Sequence, residues 1–251
     1  MAYYVLRSCA ILGVSIMDRV ADIDRYLRAY FASQQTSEAA PSQPHARPFV
    51  TISRQAGIGG HDLADTIVDV FSSIDDPIFD GWRVYDRTLC EMVAGDPRYR
   101  KSLDSLVEEE YRAKANDFFH QMIRSTVDQK LVMNRVFLAV RTVAGMGKGV
   151  IVGRAGAQVT EDMPEGVSIR VIAPEDARIA RAMDAHGLTE REARAGGRKR
   201  DADRARLIKA HFGVDIDDPT GYDAVFNAGI MSFGEIARSA AVMVRARTTA
   251  S

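Results

Sequence analysis

The stretch at residues 48–63, PFVTISRQAGIGGHDL, constrains this chain more than any other. A short β-branched run, Phe49-Val50-Thr51-Ile52, gives way to the glycine turn Gly57-Ile58-Gly59-Gly60. An apolar helical face then follows at Leu63, Ile67, Val70 and Phe71. Strand, glycine turn and helix in that order present free backbone N–H groups and a positive helix end, which together suit a phosphate. Glycine allows φ > 0 and lets the backbone approach an oxyanion with no Cβ in the way. The same turn also occurs as plain turn chemistry. It overlaps short forms of the dinucleotide fingerprint, although the full G-x-G-x-x-G is not present.

Four further strands are predicted at residues 82–85, 149–152, 167–173 and 224–227, separated by helical patterns. Strands alternating with helices imply a parallel sheet with crossover connections. The expected fold is α/β, a three-layer sandwich around a five-stranded parallel sheet. Apolar residues at helical spacing over residues 118–145 predict one long helix with a break near Asn134. Short helical and highly charged stretches are read at 88–94 and 99–114. Thr189-Glu190-Arg191-Glu192 has the capping-box pattern and opens another helix.

The expected organisation is an N-terminal extension over residues 1–31, a linker over 32–47 and the domain proper over 48–251. Val20, Ile23, Leu27 and Phe31 give the extension an amphipathic helix too short to stand alone, so it docks in cis or across a homodimer. The apolar run at 5–17 is too short to span a bilayer and lacks a small-residue cleavage site before Asp18. It reads as a buried strand or as an upstream extension, with Met17 an alternative start. No membrane partner is expected. Cys9 and Cys90 have neither metal-ligand spacing nor a disulfide framework, which fits a reducing cytoplasm.

With 46% hydrophobic and 27% charged residues and a formal net charge of −1, any basic site must be local. One local excess stands out: ten basic against five acidic residues over positions 178–209. Such a helix is ordinarily a solvated face laced with i,i+4 pairs. The alternative is an arginine-bearing lid that closes over phosphates, with Gly196-Gly197 as its flex point. One basic helix without interleaved aromatics is no nucleic-acid stripe, so no nucleic-acid partner is expected.

Ligands of an open parallel sheet collect at the carboxyl ends of its strands. There the sequence puts the glycine turn, Tyr85-Asp86 and Gly153-Arg154. With Ile52-Ser53-Arg54…Gly57-Ile58-Gly59-Gly60, Asp201-x-x-Arg204, Phe212-Gly213 and Asp218-Pro219-x-x-Tyr222-Asp223, they resemble the cytidylate kinase-like branch of the P-loop nucleoside monophosphate kinases. The resemblance runs from about Phe49 to the C-terminus. It implies a P-loop NTPase-like fold with a helical lid at about 178–209. It also implies transfer of the γ-phosphoryl group of ATP, with Mg²⁺, to a small nucleotide, a CMP-type acceptor being favoured.

On that resemblance Ser53, Arg54, Gly57, Gly59, Gly60 and His61 hold the donor phosphates. Arg154, Arg200 and Arg204 clamp the acceptor or the transferring phosphate. Asp86 orients the acceptor or holds a metal-bound water, or else caps a helix before Thr88; no direct metal ligand is assigned. One departure matters. In the pattern G-x-x-x-x-G-K-[ST], Gly60 and His61 take the lysine and hydroxyl places. A mostly neutral histidine does not replace a fixed cation, so Arg54, a lid arginine or Lys148 is left to supply the charge. Two alternatives follow: a degenerate member that binds a nucleotide as a sensor, and a dinucleotide-dependent oxidoreductase with Asp86 closing its second strand.

Overall fold

The computed structural model describes residues 47–86 and 127–249. The readings at 1–46, 88–94, 99–114 and the first part of 118–145, with both cysteines, lie outside these residues. In chain order the elements are β1 (Phe49–Arg54), α1 (Gly60–Ser72), β2 (Arg83–Tyr85), α2 (Val127–Met146) and β3 (Gly149–Val152). Then come α3 (Gly156–Val159), β4 (Gly166–Ile172), α4 (Glu175–His186), α5 (Glu190–Phe212), β5 (Ala224–Asn227) and α6 (Phe233–Thr249). The described residues fall into two compact units, one of 47–86 with 147–249, the other represented by α2. In α2 the chain passes Asn134 as unbroken helix, against the expected break. Asparagine costs a helix interior only a fraction of a kcal/mol, ~0.7 at most, too little to end one.

In the larger unit all five strands are parallel, in the order β2-β3-β1-β4-β5. The centre of the sheet is β1, with Val50 opposite Val150 on one side and Val167 on the other. Alternation along the strands sends Val50, Ile52, Val150, Val152, Val167, Ile169 and Val171 into one core. Leu63, Ile67 and Phe71 of α1 close that core together with Ile236, Ala240 and Val244 of α6. Phe71 is fully buried, its ring 4.9 Å from Phe79 and 4.7 Å edge-on from Trp82. Cutting it to alanine would cost about 3–5 kcal/mol. On the opposite face α3 sits against β1, where a Cβ on Gly156 would lie 3.2 Å from the Thr51 side chain. Helix, sheet and helix give the three layers expected.

The charged stretch folds as the hairpin α4–α5. Gly187, at φ +63, closes α4, and Thr189 opens α5 through the expected capping box, its hydroxyl accepting from Glu192 N–H while Glu192 accepts from Thr189 N–H. Across the hairpin Glu175 accepts from Arg194 at 2.6 Å and from Arg198 at 2.8 Å. Along α5, Asp203 accepts from Lys199 and Arg206. These four basic residues follow the ordinary reading of a charge-laced face. Gly196-Gly197 is not a break: α5 runs through it for 23 residues. Gly197 is buried beside the cluster of Ile179, Ala182 and Ala193, and the ion pairs of Arg194 and Arg198 bracket the glycines.

Candidate functional site

Because every strand is parallel, the loops after β1, β2, β3 and β4 open at one edge. The ladder carries β1 into the glycine loop: Gln55 N–H donates to Val171 O and its side chain accepts from Ala173 N–H. Gly57 (φ +85) and Gly59 (φ +83) are both left-handed. Gly59 is the N-cap of α1 and contributes no side-chain cap, so the positive end of that helix faces the loop opening. A Cβ on Gly57 would stand 2.5 Å from the Arg178 carbonyl oxygen, which shows how closely α4 covers the loop.

Around this opening guanidinium groups gather. The Arg54 side chain folds over Gly60, where an added Cβ would lie 2.8 Å from its Nε, and reaches Gly153 after β3. Burial, and then the positive charges of Arg204 and Arg154, push its pKa below the ordinary arginine value, down to about 10, with Asp201 opposing. Burial likewise lowers the pKa of Arg204. An arginine stays charged at neutral pH, so these side chains concentrate positive charge that an oxyanion would relieve. Arg200 is exposed on α5, with Ala56, Gly57 and Arg178 lining the same small hollow.

Asp201 is the carboxylate that organises the cluster. It accepts from Ala56 N–H at 2.7 Å, from Arg178 Nη1 at 3.0 Å and from Arg204 Nη1 at 3.2 Å. Arg178 also donates to Ala56 O and Ala173 O, and Arg204 to Arg54 O. The α4–α5 hairpin is thereby fastened to the peptide that opens the glycine loop. The turn after β3 is held in a costly form: Gly153, Arg154 and Ala155 are all left-handed, at φ +77, +56 and +57. For a non-glycine residue that conformation costs about 1–2 kcal/mol, and such strain collects at functional sites.

Most of the site residues named from sequence are therefore neighbours. Gly57, Gly59, Gly60 and Arg54 form the loop, with Arg154 and Arg204 within electrostatic reach. His61 and Asp86 face each other, with 4.0 Å between Nδ1 and Oδ2. Ser53 is engaged away from the loop: its Oγ accepts from Arg170 Nη1 at 2.8 Å, with the Tyr222 hydroxyl 3.3 Å away. Lys148 is excluded as the missing cation. It precedes β3 at the opposite edge, where Nζ donates to Pro77 O and Asp80 O. Arg170 went unrecognised in the sequence. It is 4% exposed in a central strand and forms an ion pair with Asp217. The signal was there, since a lone arginine in the apolar run VSIRVIA requires hydrogen-bonding and charged partners.

Among the described residues no group of histidines, cysteines and carboxylates could hold a metal ion by itself, and no helix is long and apolar enough to cross a membrane. No curated protein sequence matches. Among solved structures, an uncharacterized protein from Eubacterium ventriosum is similar with a TM-score of 0.59 at 19% identity, over 80% of this chain and 99% of that one. That likeness is one of fold. Shikimate kinase from Bacteroides thetaiotaomicron is similar over 79% of this chain and 98% of its own, at 13% identity, and its TM-score of 0.41 is too low to carry an argument. Residues 49–230 match the model of the cytidylate kinase-like family, from the first residue of β1 to just beyond β5. The match takes in the glycine loop, the strained turn and the whole α4–α5 hairpin, and the chain belongs to the cytidylate kinase-like family.

Proposed function

We propose that this chain transfers the γ-phosphoryl group of ATP to a nucleoside monophosphate, a CMP-type acceptor being favoured. The observation that carries the reading is the gathering of Arg54, Arg154 and Arg204 beside the glycine loop that opens α1, with Asp201 the carboxylate opposing the charge on Arg54. Phosphoryl transfer needs phosphates held in line and spread negative charge stabilised, and little covalent help. The N–H groups of residues 57–61 would take the donor phosphates. Arg154, Arg200 and Arg204 would hold the acceptor and the moving group, and the α4–α5 hairpin would act as the lid that excludes water.

A magnesium ion fits this site as one that arrives with the nucleotide. Asp86 offers a hard oxygen at the loop's mouth, and Mg²⁺ keeps most of its waters and binds through one or two carboxylates plus phosphate. Bound there, it would neutralise charge on the donor phosphates. Asp86 itself would orient the acceptor or a metal-bound water.

A second reading, nucleotide binding without turnover, is favoured by Gly60 and His61 in the lysine and hydroxyl places. One experiment separates the two. The protein is melted with ATP, CMP, other monophosphates and NAD, with and without Mg²⁺, and each ligand that stabilises it goes into a coupled ADP-release assay. A ligand at about a hundred times its Kd adds about 2.7 kcal/mol. Stabilisation by ATP and a monophosphate, with ADP released, supports the kinase. Stabilisation without release supports the sensor, and a response to NAD alone overturns both.

A further inference from the structure

We infer that Arg54 is the phosphate-loop cation of this protein, supplied from the first position of the loop because the usual seventh position is a glycine. The inference rests on the phosphate-binding reading above and names the residue that carries it. When Gly59 is laid on the second glycine of G-x-x-x-x-G-K-[ST], Arg54 falls on the first glycine and Gly60 on the lysine. Glycine and cation have exchanged ends of the loop.

In three dimensions the two exchanged positions touch. A Cβ on Gly60 would lie 2.8 Å from Arg54 Nε, 3.2 Å from Cδ and 3.3 Å from Cγ, so the Arg54 side chain crosses the point from which a lysine at 60 would set out. A side chain at Gly153 would overlap the Arg54 guanidinium on the far side. Two glycines from different loops thus leave a slot that the arginine fills. It lies against the first residue of α1, where Gly59 provides no side-chain cap. A guanidinium there adds a planar fork of donors to the backbone N–H groups of the helix end.

Two of the other candidate cations are already engaged. Lys148 donates to two carbonyls at the opposite edge, and Arg204 is held by Asp201 and by the Arg54 carbonyl. Arg54 has Arg204 and Arg154 repelling it and Asp201 attracting it, so its surroundings favour an arriving anion. The exchange also predicts an unusual incompatibility. A lysine at 60, ordinarily the making of such a loop, should be harmful here while Arg54 is present.

The test compares wild type, Arg54→Gly, Gly60→Lys and the double variant Arg54→Gly/Gly60→Lys, each first shown by urea unfolding to be folded. Binding of ATP with Mg²⁺ and of pyrophosphate alone is measured by calorimetry. Arg54→Gly should weaken both by roughly 50-fold, the loss expected for a charge-assisted contact. Gly60→Lys should also weaken both. The double variant should recover at least about tenfold over Arg54→Gly, because the lysine then has the vacated slot. Binding of either probe by Arg54→Gly within about threefold of wild type overturns the inference, as does a wild type that binds no pyrophosphate. If pyrophosphate binding follows Arg54 while ATP and CMP give no ADP, the kinase reading fails and the Arg54 assignment stands.

Discussion

Replacing Asp201 with alanine tests whether the hairpin is fastened to the glycine loop as its hydrogen bonds indicate. The carboxylate accepts from one loop N–H and two guanidinium groups, at 2.7, 3.0 and 3.2 Å. Each charge-assisted bond contributes about 1.5–3 kcal/mol in isolation. They do not add, because one carboxylate makes all three and its side chain is 30% exposed, so water recovers part of what is lost. Breaking a buried pair costs about 3–5 kcal/mol, and partial exposure puts Asp201→Ala near the lower end, about 3 kcal/mol. Asp201→Asn keeps an acceptor for Ala56 N–H but loses the charge, and should cost about half as much. Urea unfolding followed through Trp82, the single tryptophan and a buried one, measures both. The slope against urea should stay unchanged while the midpoint falls. Inorganic phosphate should then stabilise Asp201→Ala more than wild type, since the arginines have lost their counter-charge. A loss under about 1 kcal/mol, or equal losses for alanine and asparagine, refutes the reasoning.

Gly197→Ala should stabilise the protein by about 0.5–1 kcal/mol, because a Cβ there meets nothing within 4 Å and glycine weakens a helix interior. A destabilised variant would show that the position is strained in a way its surroundings do not reveal. Arg204→Ala should lower kcat about a hundredfold while changing the Kd for ATP little, if that arginine acts on the moving phosphoryl group. A pure loss of ATP affinity would reassign it to the donor. Acid should loosen the hairpin first. A side-chain hydrogen bond from Arg198 holds the Glu175 carboxyl below its ordinary 4.5, and Lys199 does the same for Asp203. Carboxyls lowered on folding contribute stability that is present above their unfolded values and lost as pH falls through the lowered ones. Amide exchange, corrected for intrinsic rate, should therefore lose protection in α4 and α5 before α1 on acidification; simultaneous loss would sink the idea.

The sheet was readable in the sequence because its strands are short, predominantly β-branched and apolar runs, a pattern that helices with charged faces do not share. The glycine loop was readable for a similar reason: strand, glycines and helix are adjacent in the chain. Residues that act across the fold were harder. The grip of Asp201 on Ala56 joins positions 145 apart, and the Arg170–Ser53 bond joins positions 117 apart, which no local pattern encodes. Lys148 could have been set aside earlier. It precedes its strand, and in a parallel sheet that places it at the amino edge, away from every candidate loop. The continuity of α5 through Gly196-Gly197 depends on the ion pairs and packing on either side, so glycine propensity alone misled. His61 was legible as a departure and Asp86 as the residue closing the second strand, whereas the 4.0 Å approach between them emerged only with the fold.

The position of β1 also bears on how the chain is made. Within it Val50 pairs with Val150 on one side and Val167 on the other, so both partners lie a hundred or more residues downstream. At about 5–20 residues per second, the strand bearing the glycine loop leaves the ribosome roughly 5–20 seconds before the first of them. Until then Phe49, Val50 and Ile52 have no sheet to enter, and the loop has no scaffold to hold its shape. The part of the protein that would meet nucleotide is written near the start of the domain and completed close to its end.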